Sequence, residues 1–539
     1  MTPAPGRQRS FVDGHARRQA ALKMDVGTFR ALGHRLVDEI AEFLDSLPRR
    51  PVTRDESPSA VRAALNLTGP LPEAGAEPGA LLQRTAELLF AHSLFNGHPR
   101  FFGYITAPPA PIGILGDFLA AAVNPNVGAW TLSPAATEIE SQTVRWIAQL
   151  IGYPVNCGGL FVSGGNMANL VGFLAARAAK ASWNVRELGV SGDSRPKLRA
   201  YCSNETHTWI QKAADLGGLG TTSIRWVATD RQFRMDVRAL RHQIEEDAAA
   251  GDLPFLVVGT AGSVSTGAVD PLPEIASLCR EHGLWFHVDG AYGGFAAAVP
   301  QAPEDLHALG EADSVAVDPH KWLYAPLEAG CALVRDPEML RAAFAYHPPY
   351  YHFQESATNY FDYGPQNSRG FRALKVWLAL RHVGASGYRK MIADDIRLSQ
   401  EMAEAISRHA DLQLVTQNLS ITTFRYVPSD LRTRLHEEQV ESYLDALNRD
   451  LLDRLQRGGE TFVSNAVVDG RYLLRACIVN FHTAQADVEA VPEIVAQIGQ
   501  RVDSELRRTF SHAKQVEAAR GRRYSTLQQS QKRRRTRGG

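Results

Sequence analysis

Val26, Phe29, Leu32, Leu36, Ile40, Phe43 and Leu47 recur every three to four residues. That spacing predicts an amphipathic helix from Asp25 to Leu47. "PRRPV" ends it, a Pro/Ser/Glu-rich connection runs to about residue 80, and a second helix is expected from near Glu77 to "NGHPRFFG". An apolar stripe so far ahead of any other recognisable core needs a cover, and a second copy of the chain would supply one.

From about residue 130 the period changes. "SPAATEIESQTVRWIAQLIG" predicts a helix capped by Ser133, with Ile139, Val144, Ile147 and Ile151 on one side. Short apolar runs then alternate with helical stretches: Leu160 to Val162, Ala200 to Cys202, Phe255 to Gly259, Leu284 to Val288, Ser314 to Val317 and Cys331 to Val334. Runs this short, bounded by Gly, Asp or Pro and separated by helices, predict an α/β fold with a mostly parallel sheet covered on both faces. After about residue 385 long charged helices accompany two expected strands, "SITTFRYV" and "RYLLRACIVNF", as in a smaller α+β domain. From Ser511 the apolar period fades towards the basic end "QKRRRTRGG", read as a solvated tail rather than an RNA-binding one.

Composition narrows the functional classes. The 539 residues exceed one ordinary core, so two or three domains are expected. Lys+Arg and Asp+Glu are both 58, which points to neither nucleic acid nor a membrane surface as partner. No apolar run approaches the roughly 18 residues that span a bilayer. Five scattered cysteines (Cys157, Cys202, Cys279, Cys331, Cys477) form no CxxC pair, against a disulfide framework or metal site and for a reducing, cytoplasmic setting. The first 23 residues are basic but lack an apolar signal core, and read as a flexible leader.

In parallel sheets ligands bind beyond the carboxyl ends of the strands, so the residues after each run carry the candidate chemistry. "SGGNMANL" follows the first run: either an ordinary tight turn and cap, or backbone N–H groups at a helix N-terminus free to hold an anion. Asp289 ends an apolar strand in "HVDGAYGG"; it is either a turn former or a carboxylate facing a buried protonated nitrogen. Lys321, in "DPHKWL", follows the next run. Most lysines are solvated, but a desolvated one is a nucleophilic amine able to form a Schiff base. An anion cradle, a strand-end aspartate and a strand-end lysine, in that order, are the parts that pyridoxal 5′-phosphate requires. His207, after the Ala200–Cys202 run, would stack on such a ring or serve the substrate; a satisfied loop histidine is the alternative.

With "FRALGHRLVDEIAEFL", "HPRFFGYI", "SPAATEIE", "TAGSVSTGAVDPL", "WFHVDGAYGG", "DPHKW" and "SRGFRALKVWLALRHVG", the chain resembles the group II pyridoxal-phosphate-dependent amino-acid decarboxylases. Among these it is most similar to the aromatic-L-amino-acid decarboxylases, from Met24 to about residue 505. The resemblance implies a fold-type-I (aspartate aminotransferase-like) large domain with a mostly parallel seven-stranded sheet, and a homodimer with active sites at the subunit interface. The implied division is a leader over 1–23, a helical dimerisation segment over 24–105, a large cofactor domain over 106–385, a small C-terminal domain over 386–510 and a basic tail over 511–539.

Carried over residue by residue, the resemblance makes Lys321 the lysine that forms an aldimine with pyridoxal 5′-phosphate. His320, Gly165 and Asn166 would hold the phosphate, Asp289 the pyridinium nitrogen, and Ala291 would lie against the ring. His207 would stack on the ring and assist at the substrate, and Arg369 would help order the site. Val264 stands where many relatives have threonine, which passes that contact to Ser263 or Thr266. Phe102, Tyr104, Ile105 and Thr106 would line the substrate pocket, with Ala107, partly from the dimer partner. Tyr350, with Tyr346 and Tyr351 as alternative registers, would be the loop tyrosine that protonates the carbanion left by carbon dioxide. The implied reaction converts an L-amino acid, of which Trp, Tyr, DOPA and Phe are the expected substrates, to its amine. An aldehyde-forming oxidative variant or a non-aromatic substrate is the alternative. Asp318 replaces the Asn or Ser that often precedes "PHK", and no role follows for it.

Overall fold

The computed structural model describes residues 20–66, 69–192, 195–347 and 357–509. The leader up to residue 19, Tyr350, Tyr351 and the tail from residue 510 lie outside the described residues.

Two compact units are present, Met1–Arg49 with Glu56–Ser93, and Arg50–Asp55 with Leu94–Gly539. In the first, α1 (Val26–Ser46) starts where its pattern predicts, capped by Asp25, whose side chain accepts from Thr28 N at 2.9 Å. The expected connection contains a further helix, α2 (Pro58–Leu65), capped by Ser57. At eight residues it is too short for a periodic stripe to announce it. α3 (Pro78–His92) follows, capped by Glu77. Phe43 of α1 stacks on Phe90 of α3 at 4.3 Å. Even so, α1 buries none of its residues, and Val26 and Phe29 are exposed.

The second unit begins its helices with α4 (Pro111–Val123) and α5 (Pro134–Leu150). Ser133 does precede α5, but its side chain makes no cap; its hydroxyl donates to Asn126 O at 2.8 Å instead. The main sheet comprises β1 (Gly158–Val162), β2 (Leu198–Ser203), β3 (Ile224–Val227), β4 (Leu253–Thr260), β5 (Trp285–Asp289), β6 (Ser314–Val317) and β7 (Gly330–Val334). Their order is β1-β7-β6-β5-β4-β2-β3. β7 runs antiparallel to both neighbours and the other pairings are parallel. Six strands match the apolar runs. β3 escaped the pattern because it is a four-residue edge strand in which Arg225 and the exposed Trp226 interrupt the apolar run.

After β1 comes α6 (Gly165–Lys180), which packs across the sheet with Ala168, Val171, Phe173 and Ala176 buried. The helix Ala373–Arg408 turns sharply at Gly384 (φ 71°) and leads into a second sheet, all antiparallel, with order β10-β11-β9-β8. Its strands are β8 (Leu412–Asn418), β9 (Ile421–Tyr426), β10 (Ser464–Val468) and β11 (Arg471–Cys477). Phe102 N donates to Phe462 O at 2.7 Å and Phe102 O accepts from Cys477 N at 2.9 Å, so the chain around residue 102 runs with this second sheet.

Candidate active site

Five carboxyl ends of the main sheet's strands converge on one cavity of about 630 Å³, lined by Gly164, Gly165 and Asn166 after β1, Glu205 and His207 after β2, Thr260, Gly262 and Val264 at the end of β4, Asp289 and Ala291 at the end of β5, and Asp318, His320 and Lys321 after β6. Its size falls in the range of small-molecule sites, roughly 300–1,000 Å³.

The turn into α6 is built for close approach. Gly164 has φ +123°, a conformation open to glycine, and it lies against the imidazole of His320. A methyl group on Gly165 would stand 2.7 Å from Asp318 Oδ2 and 3.0 Å from Ala291 Cβ. In the first turn of this 16-residue helix the Met167 and Ala168 amides donate to Gly164 O, at 2.9 and 3.0 Å, while Gly165 and Asn166 line the cavity. Asn166 and Asn169, three apart, both line the cavity. The Asn169 side-chain oxygen is committed to His287 Nε2 at 2.7 Å, and His287 Nδ1 to Ser314 Oγ at 2.7 Å. Burial lowers the pKa of His287 to about 4, so this histidine is a neutral strut.

Asp289 is fixed from two sides. Trp209 Nε1 donates to its Oδ2 at 2.7 Å, and the Ala291 amide donates to its Oδ1 at 3.1 Å. A buried carboxylate held this way, with one edge open to a cavity, suits a protonated ring nitrogen. Trp209 was missed by sequence reading, although it lies two residues beyond His207 in "HTW". His207 accepts from Trp209 N at 3.3 Å. The residue is exposed and lines the cavity. Desolvation lowers its pKa, with Lys321 and Lys212 adding to the effect and Asp289 and Asp318 opposing it.

Lys321 lies in the short helix Pro319–Trp322 with its Nζ 3.1 Å from Asp318 Oδ2. The turn is anchored from behind. Trp322 Nε1 and Tyr324 OH both donate to Asp395 Oδ2, at 2.8 and 2.7 Å, and Trp322 stacks on Tyr292 at 4.9 Å. Asp395 is fully buried, and desolvation raises its pKa to about 7 against the pull of those hydrogen bonds. Arg369 acts at a further remove. It is buried against Glu140, donates to Val127 O and Phe161 O at 2.8 and 2.7 Å, and its guanidinium lies 4.6 Å from the Tyr360 ring centre. Because Glu140 also accepts from Phe161 N at 2.9 Å, this pair holds β1 just before the glycine turn.

The structure thus brings Lys321, Asp289, Ala291, His207, His320, Gly165 and Asn166 to one cavity. Ser263 lies beside it, its hydroxyl 2.9 Å from Thr266 Oγ1 within the loop. Within one chain the four expected substrate residues do not line the cavity. Phe102 is wholly buried in the apolar cluster behind the second sheet, Tyr104 is 57% exposed, and Ile105 and Thr106 are half-buried. Tyr346 is 70% exposed. Glu205 and Glu328 also line the cavity; both were passed over because a lone acid in a polar stretch carries no periodic signal. No cluster of metal-ligating side chains occurs among the described residues.

Residues 70–427 match the family model "Pyridoxal-dependent decarboxylase conserved domain". The chain belongs to that family. This enzyme is 32% identical over 472 residues to an aromatic-L-amino-acid decarboxylase of Bacillus atrophaeus, covering 87% of this chain and 94% of the relative. It is 28% identical over 474 residues to a phenylacetaldehyde synthase of a Rosa hybrid cultivar, covering 85% and 91%. The crystal structure of Oryza sativa TDC with PLP and tryptamine superposes with a TM-score of 0.82 at 26% identity, covering 90% of this chain and 99% of that one. The decarboxylase is a carboxy-lyase of fold type I with pyridoxal phosphate as cofactor. The residues present fit that group: a glycine-led helix N-terminus, a fixed carboxylate and a primary amine share one cavity of suitable size.

Proposed function

We propose that the enzyme decarboxylates aromatic L-amino acids to the corresponding amines, with Lys321 and Asp289 at the centre of the site. The observation that carries this reading is that adjacent parallel strands, β5 and β6, deliver Asp289 and Lys321 into the same cavity. Bound pyridoxal phosphate supplies an electrophilic carbon for amines and a protonated ring that accepts the electron pair released with carbon dioxide. Asp289 would keep a proton on the ring nitrogen, and Trp209 and the Ala291 amide hold Asp289 in place for it, which is electrostatic preorganisation. The Gly165 and Asn166 amides and the Asn166 side chain, with His320, would hold the phosphate. Lys321 is the amine nucleophile. His207 would stack on the ring and serve the substrate, and desolvation, which lowers its pKa, favours the neutral form there. Tyr350 supplies the proton to the α-carbon.

An aromatic substrate is supported by the apolar rim residues Val264 and Leu327, 41% and 63% exposed, and by the name of the Bacillus relative. A homodimer is supported by α4, where Leu115, Phe118, Leu119 and Val123 are all at least half-exposed, at 52%, 52%, 52% and 66%. Tyr104, exposed in one chain, is then available to the cavity of the partner. Five cysteines with no disulfide among them support a cytoplasmic setting.

The test is a panel of L-Trp, L-Tyr, L-DOPA, L-Phe, L-His and L-Glu scored for amine, carbon dioxide, aldehyde and peroxide. Equimolar amine and carbon dioxide from an aromatic substrate is the expected result. Peroxide with aldehyde would replace it by the synthase reading, and a preference for L-Glu would overturn the aromatic one. Purified protein that gains no visible band on incubation with pyridoxal phosphate would sink the assignment of Lys321.

A further inference from the structure

Asn169 lines the cavity but has no part in the reaction described above, and it is 1% exposed. Its side-chain oxygen meets His287 Nε2 at 2.7 Å, and His287 Nδ1 meets Ser314 Oγ at 2.7 Å. Trp285 Nε1 donates to the same hydroxyl at 2.8 Å. Gly172, three residues along α6, makes room for this row of groups. A methyl group there would stand 2.7 Å from the His287 ring and 3.0 Å from Ser314 Oγ.

The row has one direction. An indole N–H can only donate, so Trp285 occupies a lone pair of the Ser314 hydroxyl. That hydroxyl, itself 1% exposed, must place its own proton, and among the described residues its other side-chain partner is His287 Nδ1. Nδ1 therefore accepts. Burial keeps His287 neutral, so its single ring proton is on Nε2 and goes to Asn169 Oδ1. The carboxamide is thus fixed with its oxygen towards His287 and its NH2 group turned away. Among the described residues nothing accepts from that nitrogen. A buried amide donor left unpaired costs what a lost hydrogen bond costs, unless the cavity supplies an acceptor.

Two features point to the cofactor rather than the substrate as that acceptor. Asn169 is buried, whereas His207 and Leu327, on the same cavity, are exposed. Asn169 also links the two groups assigned to the cofactor. It lies four residues along α6 from Gly165, and it is bonded to His287, two residues before Asp289 on β5. We propose that Asn169 is a further cofactor-binding residue, whose side-chain N–H donates to an oxygen of pyridoxal phosphate, on the phosphate or on the ring. The inference rests on the cofactor reading of the cavity given above.

The test is a cycle between side chain and ligand. Cofactor-free wild type and Asn169→Leu are dialysed to equilibrium against three ligands: pyridoxal phosphate, pyridoxal, which lacks the phosphate, and 3-deoxypyridoxal phosphate, which lacks the ring hydroxyl. The variant is expected to bind pyridoxal phosphate about 10- to 150-fold more weakly. For the analogue that lacks the contacted oxygen the loss should shrink to about twofold or less, which also identifies the acceptor. A loss of the same size for all three ligands, as a purely structural role gives, overturns the inference, and so does no loss for pyridoxal phosphate. Should Asn169→Leu not fold, Asn169→Ser takes its place. Neutron diffraction of wild-type crystals reads the row of protons without any variant: a deuteron on His287 Nδ1 instead of Nε2 overturns the inference. If the wild type forms a visible band with pyridoxal phosphate while the cycle fails, the cofactor site stands and only the role of Asn169 falls. If no visible band forms in the wild type, both fall.

Discussion

Replacing Asp395 by Asn should change how the stability of the protein depends on pH. The carboxyl group is fully buried behind the lysine turn, and desolvation raises its pKa from the ordinary 3.8 to about 7. Between these values the folded chain holds a proton that the unfolded chain has released. Stability therefore falls as pH rises from about 4, and the loss is complete above pH 7. At about 1.4 kcal/mol per tenfold change, the whole interval corresponds to about 4 kcal/mol, and the part between pH 5 and pH 8 to about 3 kcal/mol. Asn keeps an oxygen for Trp322 Nε1 and Tyr324 OH but has no charge to bury. The assay is urea unfolding of cofactor-free protein at both pH values, followed by tryptophan fluorescence. Relative to wild type, the variant should gain about 3 kcal/mol between pH 5 and pH 8. A difference that is flat within about 0.5 kcal/mol would refute burial as the cause of the raised pKa.

Arg369→Ala leaves Glu140 buried without its cation and should cost about 3–5 kcal/mol, seen as a lower urea midpoint and a slackened β1 in hydrogen exchange. Trp209→Phe removes the 2.7 Å hydrogen bond to Asp289; at about 1.5–3 kcal/mol it should weaken cofactor retention roughly 10- to 150-fold in equilibrium dialysis. His207, with its pKa held below 6.5, should give kcat/KM an acid limb below that pH, and His207→Gln should abolish the limb along with most of the activity.

Much of this architecture could be read from the chain because burial on both faces writes itself as an apolar run. β5 and β6 have every residue buried, and the functional residues follow them directly. β3 and α2 were not legible, the one a four-residue edge strand with polar interruptions, the other a helix of two turns. In the site, Lys321 and Asp289 stood out because charge at the end of an apolar strand is costly. Trp209 did not, because a tryptophan reads as core until its indole N–H is seen to meet a carboxylate. Asp395, 74 residues beyond Lys321, could be tied to the lysine turn only by the packing of its helix.

The reversed strand β7 also has a bearing on biosynthesis. β1, which leads into the glycine turn, has no sheet neighbour other than β7, and the two pair Val162 with Gly330. The first strand of the sheet to leave the ribosome therefore waits about 170 further residues for its partner in the sheet. Until β7 docks, the glycine turn and the lysine turn are not side by side, and a nascent chain offers no complete pocket. Cofactor capture in this enzyme thus reports that the sheet has closed.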